Sequence, residues 1–516
     1  MHDVVRDFAH WITSTGEKMF MVKNELTEWP NSENFDCYTA ISLWNSKIDN
    51  FPERLEFSKL KTLILSGRDY QIVPSTFFEG MKALQILFLE RHVFSMEAFQ
   101  FLKNLRILRI VRCGLQEDIS SLRNLKNLEF LEWNSVHFEE LPEELLELRR
   151  LKSLYFSCFG DGPINVPPNL LSRLTSLQEL HVPRDNNANL LELNSLSRLT
   201  TLTLIVSTDQ CFQENFVFPK LQSYSIAVNA YIEFPEKRIS RILTISDCSS
   251  LNAFKELFPN VQKLTLFKVM EHKTVVPNVD QWELNELTSL QLTSCDDLEC
   301  LIDTTWEQSP TTAFSNLVNL DIGGKELECL IDTTLGHVST NAFFNLVELV
   351  IEEMTGLKML CNGQFPKGFL QKLEKLTTRN CMEMVSLSPA LQNLKEVKVI
   401  NCGQLQEVFQ IDEFLHDTKE NQGLLLSNLT LMELNSLPAL ENIWKEPTHL
   451  VSLQSLKDVK VDGCDKLKSI FSPCLTQSLL HLEQLKISAC KKLEQVFAFA
   501  QDMAEFAVPL ISPSFL

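Results

Sequence analysis

The chain is poor in glycine: 15 in 516 residues, well under half of the ~7% average usage. That scarcity argues against a protein built around Gly-rich phosphate loops. No GxxxxGK[ST] occurs, and Gly323-Gly324-Lys325 lacks the first Gly at the required offset. Positive charge is also short, with 47 Lys and Arg against 67 Asp and Glu, a net charge of −20. Such a field repels phosphate backbones and anionic membrane surfaces, so nucleic acid is excluded as the expected partner. No stretch approaches 18 uncharged apolar residues, which leaves no predicted membrane span. No basic start leads into an apolar run, so no secretory signal is read. The 14 cysteines form no CxxC pair and no tight Cys/His cluster, so no metal site is proposed, and reduced thiols of an intracellular, cytoplasmic chain are the expectation. No catalytic triad or paired-carboxylate site can be argued, and the chain reads as a non-enzyme.

Leucine is abundant: 84 residues, about one in six. The pattern Leu-x-x-Leu-x-Leu recurs from Tyr38/Ile41/Leu43 to Leu482/Leu485/Ile487, in about 19 units with a mean period of about 25 residues. Clear copies include Leu84/Leu87/Leu89, Leu105/Leu108/Ile110, Leu128/Leu131/Trp133, Leu151/Leu154/Phe156 and Leu426/Leu429/Leu431. The Leu-x-Leu part predicts a short strand with one face inward. One unit cannot bury its own leucines, but stacked units share a core. The expected fold is therefore an α/β leucine-rich-repeat solenoid, a horseshoe with a parallel concave sheet and a short N-terminal helical segment.

The fifth motif position points out of that sheet. It is polar or Tyr in 16 of the 19 units, the exceptions being Ile64, Phe88 and Val350. Arg109, Glu132, Tyr155 and His181 occupy it in four successive units, and Thr430, Lys460 and Lys486 at the far end. Arg and aromatic residues carry a disproportionate share of binding energy at protein interfaces, so these four are the predicted partner-binding anchors. Eight residues after the motif start stand Cys113, Cys248, Cys295, Cys381, Cys402, Cys464 and Cys490. This position suits a small buried side chain with weak hydrogen-bonding capacity. In neighbouring units the thiols would stack at about 4.8 Å, which leaves disulfide distance open.

Three regions follow: 1–36 before the repeats, 37–240 with repeats of a first type, and 241–516 with endings of the form Cys-x-x-Leu-x-x-(Ile/Val/Leu). In the first set, segments such as Phe138–Leu145 read as short convex helices. Glu299–Thr305 and Glu328–Thr334 are near copies, indicating a local duplication. Gln410–Gln422 reads as an exposed acidic loop, and 507–516 as the approach to another repeat, so that truncation there is an expectation. Val4, Val5, Phe8, Ala9 and Ile12 have helical spacing, with Asp3 placed to cap them.

Met1-His2-Asp3-Val4-Val5-Arg6-Asp7 resembles the Met-His-Asp motif of plant intracellular nucleotide-binding leucine-rich-repeat disease-resistance proteins, coiled-coil class. The segments Ala40–Ile48, Phe51–Leu55, Leu60–Leu65 and Phe77–Met81, together with the Cys-x-x-Leu endings, are similar to that family's repeats. The resemblance implies that 1–36 is the end of a nucleotide-binding (NB-ARC) module and that the chain is the C-terminal repeat region of such a receptor. It further implies that His2, with Asp3 beside it, would contact ADP in a full-length relative whose switch binds ADP or ATP. This chain itself is expected to hold no cofactor. The implied partners are a pathogen effector or guarded host protein, and the nucleotide-binding module that the array restrains. The alternatives are a stand-alone intracellular repeat adaptor, or the remnant of an ADP/ATP-binding switch.

Overall fold

The fold was analysed in a computed structural model, which describes residues 19–497 apart from 31–34, 53–55, 116–118, 137–139, 159–162, 184, 212–215, 231–239, 249–250, 270–273, 277–283, 285, 304–313, 326, 335–342, 364–367, 386, 388–390, 392, 410–424 and 445–447. His2, Asp3, the helix expected near 4–12, the acidic loop at 410–422 and the tail at 507–516 lie outside the described residues. Contacts divide the chain into two units, Met1–Ser240 and Arg241–Leu516.

In the first unit, eleven parallel strands of one sheet are described: Met19–Asn24, Tyr38–Ser46, Thr62–Val73, Ile86–Phe94, Ile107–Val111, the two-residue Gly114–Leu115, Phe130–Val136, Ser153–Cys158, Glu179–Val182, Thr201–Val206 and Ser223–Val228. The register superposes the leucines read from the repeat: Leu63, Leu87, Leu108, Leu131, Leu154, Leu180 and Leu202 form one column. All seven have no exposed surface, and each contributes roughly 1.5–3 kcal/mol by burial. The first strand, Met19–Asn24, aligns Met21 with Ile41, so the sheet begins one turn before the first motif read at Tyr38. The positions in register with Ile41 and Leu43 are Met21 and Lys23 rather than Leu, which hid the strand from a leucine count.

Behind this sheet the chain returns through 3-10 turns: Ser75–Phe78, Met96–Phe101, Ser120–Asn124, Glu143–Glu147 and Leu190–Ser195, with a four-residue α-turn at Leu170–Arg173. The short convex helices are thus mostly single tight turns. A repeat near 23 residues leaves room for one turn between strand ends, and Pro74 and Pro142 fix an extended N-cap just before two of them.

The second unit also contains ten parallel strands: Arg241–Ser246, Lys263–Phe267, Ser289–Thr293, Asn319–Gly323, Glu348–Glu352, Lys375–Arg379, Glu396–Ile400, Leu431–Asn435, Asp458–Asp462 and Gln484–Ser488. One register differs from the sequence reading. Val397 pairs with Met432 and Lys398 with Glu433, so the unit is Leu429/Met432/Leu434 rather than Leu426/Leu429/Leu431. Glu433, not Thr430, is the outward residue, and Thr430 precedes the strand with its N–H on the Lys395 carbonyl at 2.8 Å. Leu424-Leu425-Leu426 offered a false start three residues early.

The return path of the second unit is extended. The duplicated segments Cys300–Asp303 and Cys329–Asp332 pair in parallel, flanked by Thr274–Val276 and Cys361–Asn362. Glu407–Phe409 pairs with Asn442–Trp444, and Ser469–Phe471 with Gln495–Phe497. The Cys-x-x-Leu ending therefore leads into a second layer of short strands, where β-branched and aromatic residues suit extended backbone.

Candidate functional site

The outward column of the first unit runs Ser42, Ile64, Phe88, Arg109, Glu132, Tyr155, His181, Thr203 and Ser225, each in register with the next. Parallel pairing places these side chains at strand spacing, about 4.8 Å apart, which is close enough for every neighbour to interact. The four predicted anchors are brought together in one stripe. The Arg109 Nε donates to Glu132 Oε2 at 2.6 Å, and its Nη2 to Oε1 at 3.2 Å, a two-pronged ion pair. The Arg109 guanidinium also lies 5.1 Å from the centroid of the Phe88 ring, a cation–π contact. Phe88 in turn meets Trp44, ring centroids 5.9 Å apart.

Tyr155 and His181 continue the ladder with centroids 5.8 Å apart and planes inclined by 32°. The His181 Nδ1 stands 2.8 Å from Thr203 Oγ1. Burial in the column, and secondarily the Glu132 charge, raises the Tyr155 phenol above its ordinary pKa. Burial lowers that of the His181 imidazole, opposed by Glu179 and Glu132. Both rings are therefore neutral near pH 7. The stripe presents aromatic faces, one internally compensated ion pair, and hydroxyl and imidazole groups. This equips it for shape-specific, partly apolar recognition rather than for proton transfer.

Sequence reasoning missed Phe88, Trp44 and Thr203. Phe88 breaks the polar alternation, yet its place one repeat before Arg109 is the available signal: an aromatic face beside a guanidinium. Trp44 lies just past the alternating pair of its motif, in the part of Tyr38–Ser46 that extends beyond the pattern.

The cysteine position is also resolved. Cys113 Sγ donates to the carbonyls of Leu89 and Val111, each at 3.4 Å, and Cys295 Sγ to those of Leu266 and Thr293, each at 3.6 Å. Cys381 Sγ reaches Ile351 O at 3.8 Å and Arg379 O at 3.4 Å. The thiol thus bridges its own strand end to that of the preceding repeat, and the described cysteines are free thiols. Burial pushes the Cys113 and Cys464 thiols up to about 12, keeping them protonated donors and poor nucleophiles. Among the described residues, no group of three His, Cys, Asp or Glu could hold a metal, and no helix is long and apolar enough to cross a membrane.

Residues 345–491 match the family described as "Plant disease resistance protein RPS2-like, leucine-rich repeats". Over 91% of its length the chain is 24% identical to Disease resistance protein At4g27190 of Arabidopsis thaliana, covering 48% of that protein. It is 26% identical to Probable disease resistance protein At4g27220 of the same plant, covering 91% of this chain and 51% of the relative. The chain thus spans about half the length of these relatives. Among solved structures, a leucine-rich-repeat protein of Leptospira interrogans aligns at a TM-score of 0.48 and 18% identity, covering 88% of this chain and 97% of that one.

Proposed function

Starting from a chain whose leucine-rich repeats are those of a plant disease-resistance protein, we propose that the array is the recognition region of an immune receptor. In this reading the stripe from Phe88 to Thr203 contacts a pathogen effector or a guarded host protein. The same array restrains a nucleotide-binding switch, and both acts take place in the cytoplasm. The function is binding, not catalysis. The supporting observation is the continuous ladder Phe88–Arg109–Glu132–Tyr155–His181–Thr203. Its members brace one another, so little side-chain entropy remains to be lost when a partner docks.

Replacing Arg109, Glu132, Tyr155 and His181 together by Ala tests this. Association of the chain with its protein partner should fall at least a hundredfold, and restraint of a co-expressed switch module should weaken, while the circular dichroism spectrum is unchanged. Retention of both association and restraint by the quadruple variant would overturn the reading. The roles implied for His2 and Asp3 belong to the nucleotide-binding module. A calorimetric titration of this chain with ADP should show no binding, and a clear isotherm would favour the switch-remnant alternative instead.

A further inference from the structure

A second feature of the first unit stands apart from the stripe, at the edge where the chain enters the strands. Two adjoining recesses open there, of about 390 and 340 Å³, and share Glu129, Lys152 and Gln178. The larger is bordered also by Arg106 and Glu179, the smaller by Arg149, Arg150 and Arg198. Together they gather five cations and two carboxylates in a protein whose net charge is −20.

The two carboxylates do not serve the three arginines of the smaller recess. Glu129 is already shared: Arg106 Nε donates to it at 2.8 Å and Lys152 Nζ at 2.7 Å, and these two cations hold its carboxyl below the usual range. Glu179 accepts from Ser153 Oγ at 2.8 Å. Among the described residues Arg150 makes a neutral contact and no ion pair, its Nη1 donating to Asn127 Oδ1 at 2.9 Å. Among the described residues, Arg149 and Arg198 form no ion pair, and all three arginines are exposed. Elsewhere in this unit the surface cations Lys126, Arg123 and Arg109 each face a Glu of the next repeat. Arg149, Arg150 and Arg198 instead border one recess, with Glu147 as an electrostatic neighbour of Arg149 but no ion pair among the described residues.

The spacing narrows the ligand. Arg149 and Arg150 lead into Ser153–Cys158, and Arg198 into Thr201–Val206, with Glu179–Val182 between them. Two strand spacings are about 9.6 Å. A polyproline-II segment rises about 3.1 Å per residue and returns the same face every third residue, about 9.3 Å on. Carboxylates three residues apart on such a segment would meet the two arginine rungs. The Glu129 carboxylate, which borders both recesses, disfavours a compact polyphosphate.

We propose that this edge of the first unit docks an acidic, extended peptide segment of a partner protein, with carboxylates every third residue pairing to Arg149, Arg150 and Arg198. Charge-assisted, two-pronged Arg–carboxylate bonds supply the specificity.

The test uses the full chain and a fluorescent (Glu-Pro-Pro)5 peptide, with (Gln-Pro-Pro)5 as its neutral control, followed by anisotropy at low ionic strength. The Glu peptide should bind saturably and lose affinity steeply with salt, and the Gln peptide should not bind. Arg149→Ala/Arg150→Ala/Arg198→Ala should weaken binding at least tenfold, and the triple Lys variant should fall between it and the parent, since the charge remains but the two-pronged geometry is lost. Arg109→Ala/Tyr155→Ala in the stripe should bind the peptide as the parent does, which separates this site from the proposed recognition stripe. Absence of Glu-peptide binding, equal binding of the Gln peptide, an unaffected triple-Ala variant, or equal loss in the stripe variant would each overturn the proposal. Saturable binding of inorganic tripolyphosphate without peptide binding would make the recess a compact polyanion site and overturn it too.

Discussion

The two units present the same kind of parallel sheet and differ behind it. The first closes its repeats with 3-10 turns such as Glu143–Glu147; the second closes them with a second layer of strands such as Asn442–Trp444 and Ser469–Phe471. The cause lies in the residues after the strand. A Leu-Pro-Glu-Glu-Leu-Leu run fixes an extended cap and then a tight turn, whereas Cys-x-x-Leu-x-x-Val-Phe places β-branched and aromatic side chains where only extended backbone stacks them. The difference teaches that the leucines of the motif specify the sheet alone, and that the back of each repeat is specified separately.

The largest expected effect breaks the second unit at its back. Trp444 stacks on Phe409 with centroids 4.8 Å apart and planes 9° from parallel, and its Nε1 donates to Ile470 O at 2.8 Å. Trp444→Ala should cost about 3–5 kcal/mol, the range for emptying a large aromatic site. Because each repeat touches chiefly its neighbours, hydrogen exchange should accelerate in Glu396–Ile400, Leu431–Asn435 and Asp458–Asp462 and not in Ile107–Val111. Equal acceleration in Ile107–Val111 would break the comparison.

The next effect is confined to the first unit. His92 is 2% exposed, pairs in register with Gln71, and packs edge-on against Phe51 at 5.8 Å. Burial lowers its pKa to about 4, against a smaller opposing influence of Glu90. The unfolded chain therefore takes up the proton first. The stabilisation held by the neutral ring is complete above the unfolded value of about 6.5 and is lost as pH falls from there to about 4. On the order of 3 kcal/mol is at stake, at 1.36 kcal/mol per pKa unit. Urea unfolding of the first unit at pH 7 and pH 4.5 should show this loss, and His92→Gln should abolish most of it. An undiminished acid sensitivity in the variant would assign the effect to other groups.

Most of the sheet was legible in the sequence, because period-2 leucines inside a period near 25 leave one way to bury them. The exceptions have physical reasons. Met19–Asn24 escaped because Met21 and Lys23 stand where later repeats have Leu. The false start at Leu426 arose because three adjacent leucines satisfy the pattern in more than one register, and the pattern alone carries no information on backbone conformation. Arg109, Glu132, Tyr155 and His181 stand in one register column, as their shared motif position requires, but the pairing of Arg109 with Glu132 and the aromatic support from Phe88 were not legible, since which neighbours a side chain chooses depends on rotamers rather than spacing.

Backbone conformation would have resolved the register, and it sharpens the comparison with the smallest effect. In the second unit the residue seven places after the motif start repeatedly adopts positive φ: Asp247, Lys268, Ser294, Glu353, Asn380, Asn401, Ser436, Gly463 and Ala489. Ser436 fits this series only if its motif starts at Leu429. Its N–H donates to Asp462 O at 2.8 Å, as Lys268 N does to Thr293 O at 3.0 Å and Ser294 N to Gly323 O at 2.7 Å, so the left-handed turn is what carries the chain from sheet to cysteine cap. In the first unit the described residues adopt it at that place only at Glu25, Asn45, Arg91 and Arg112. An L-residue with a side chain there costs about 1–2 kcal/mol, partly offset by the greater freedom that glycine regains on unfolding. Glu353→Gly and Lys268→Gly should therefore each stabilise the second unit by about 0.5–1 kcal/mol, with Asn401→Gly near zero because Asn tolerates this conformation. Gly463→Ala should cost about 1 kcal/mol or more, since its Cβ would also meet Ser436 Cα at 3.3 Å. If thermal unfolding midpoints moved the other way for Glu353→Gly, the turn would not be strained. The glycine scarcity of this chain would then be neutral to its stability, instead of a small strain repeated at nearly every turn of the second unit.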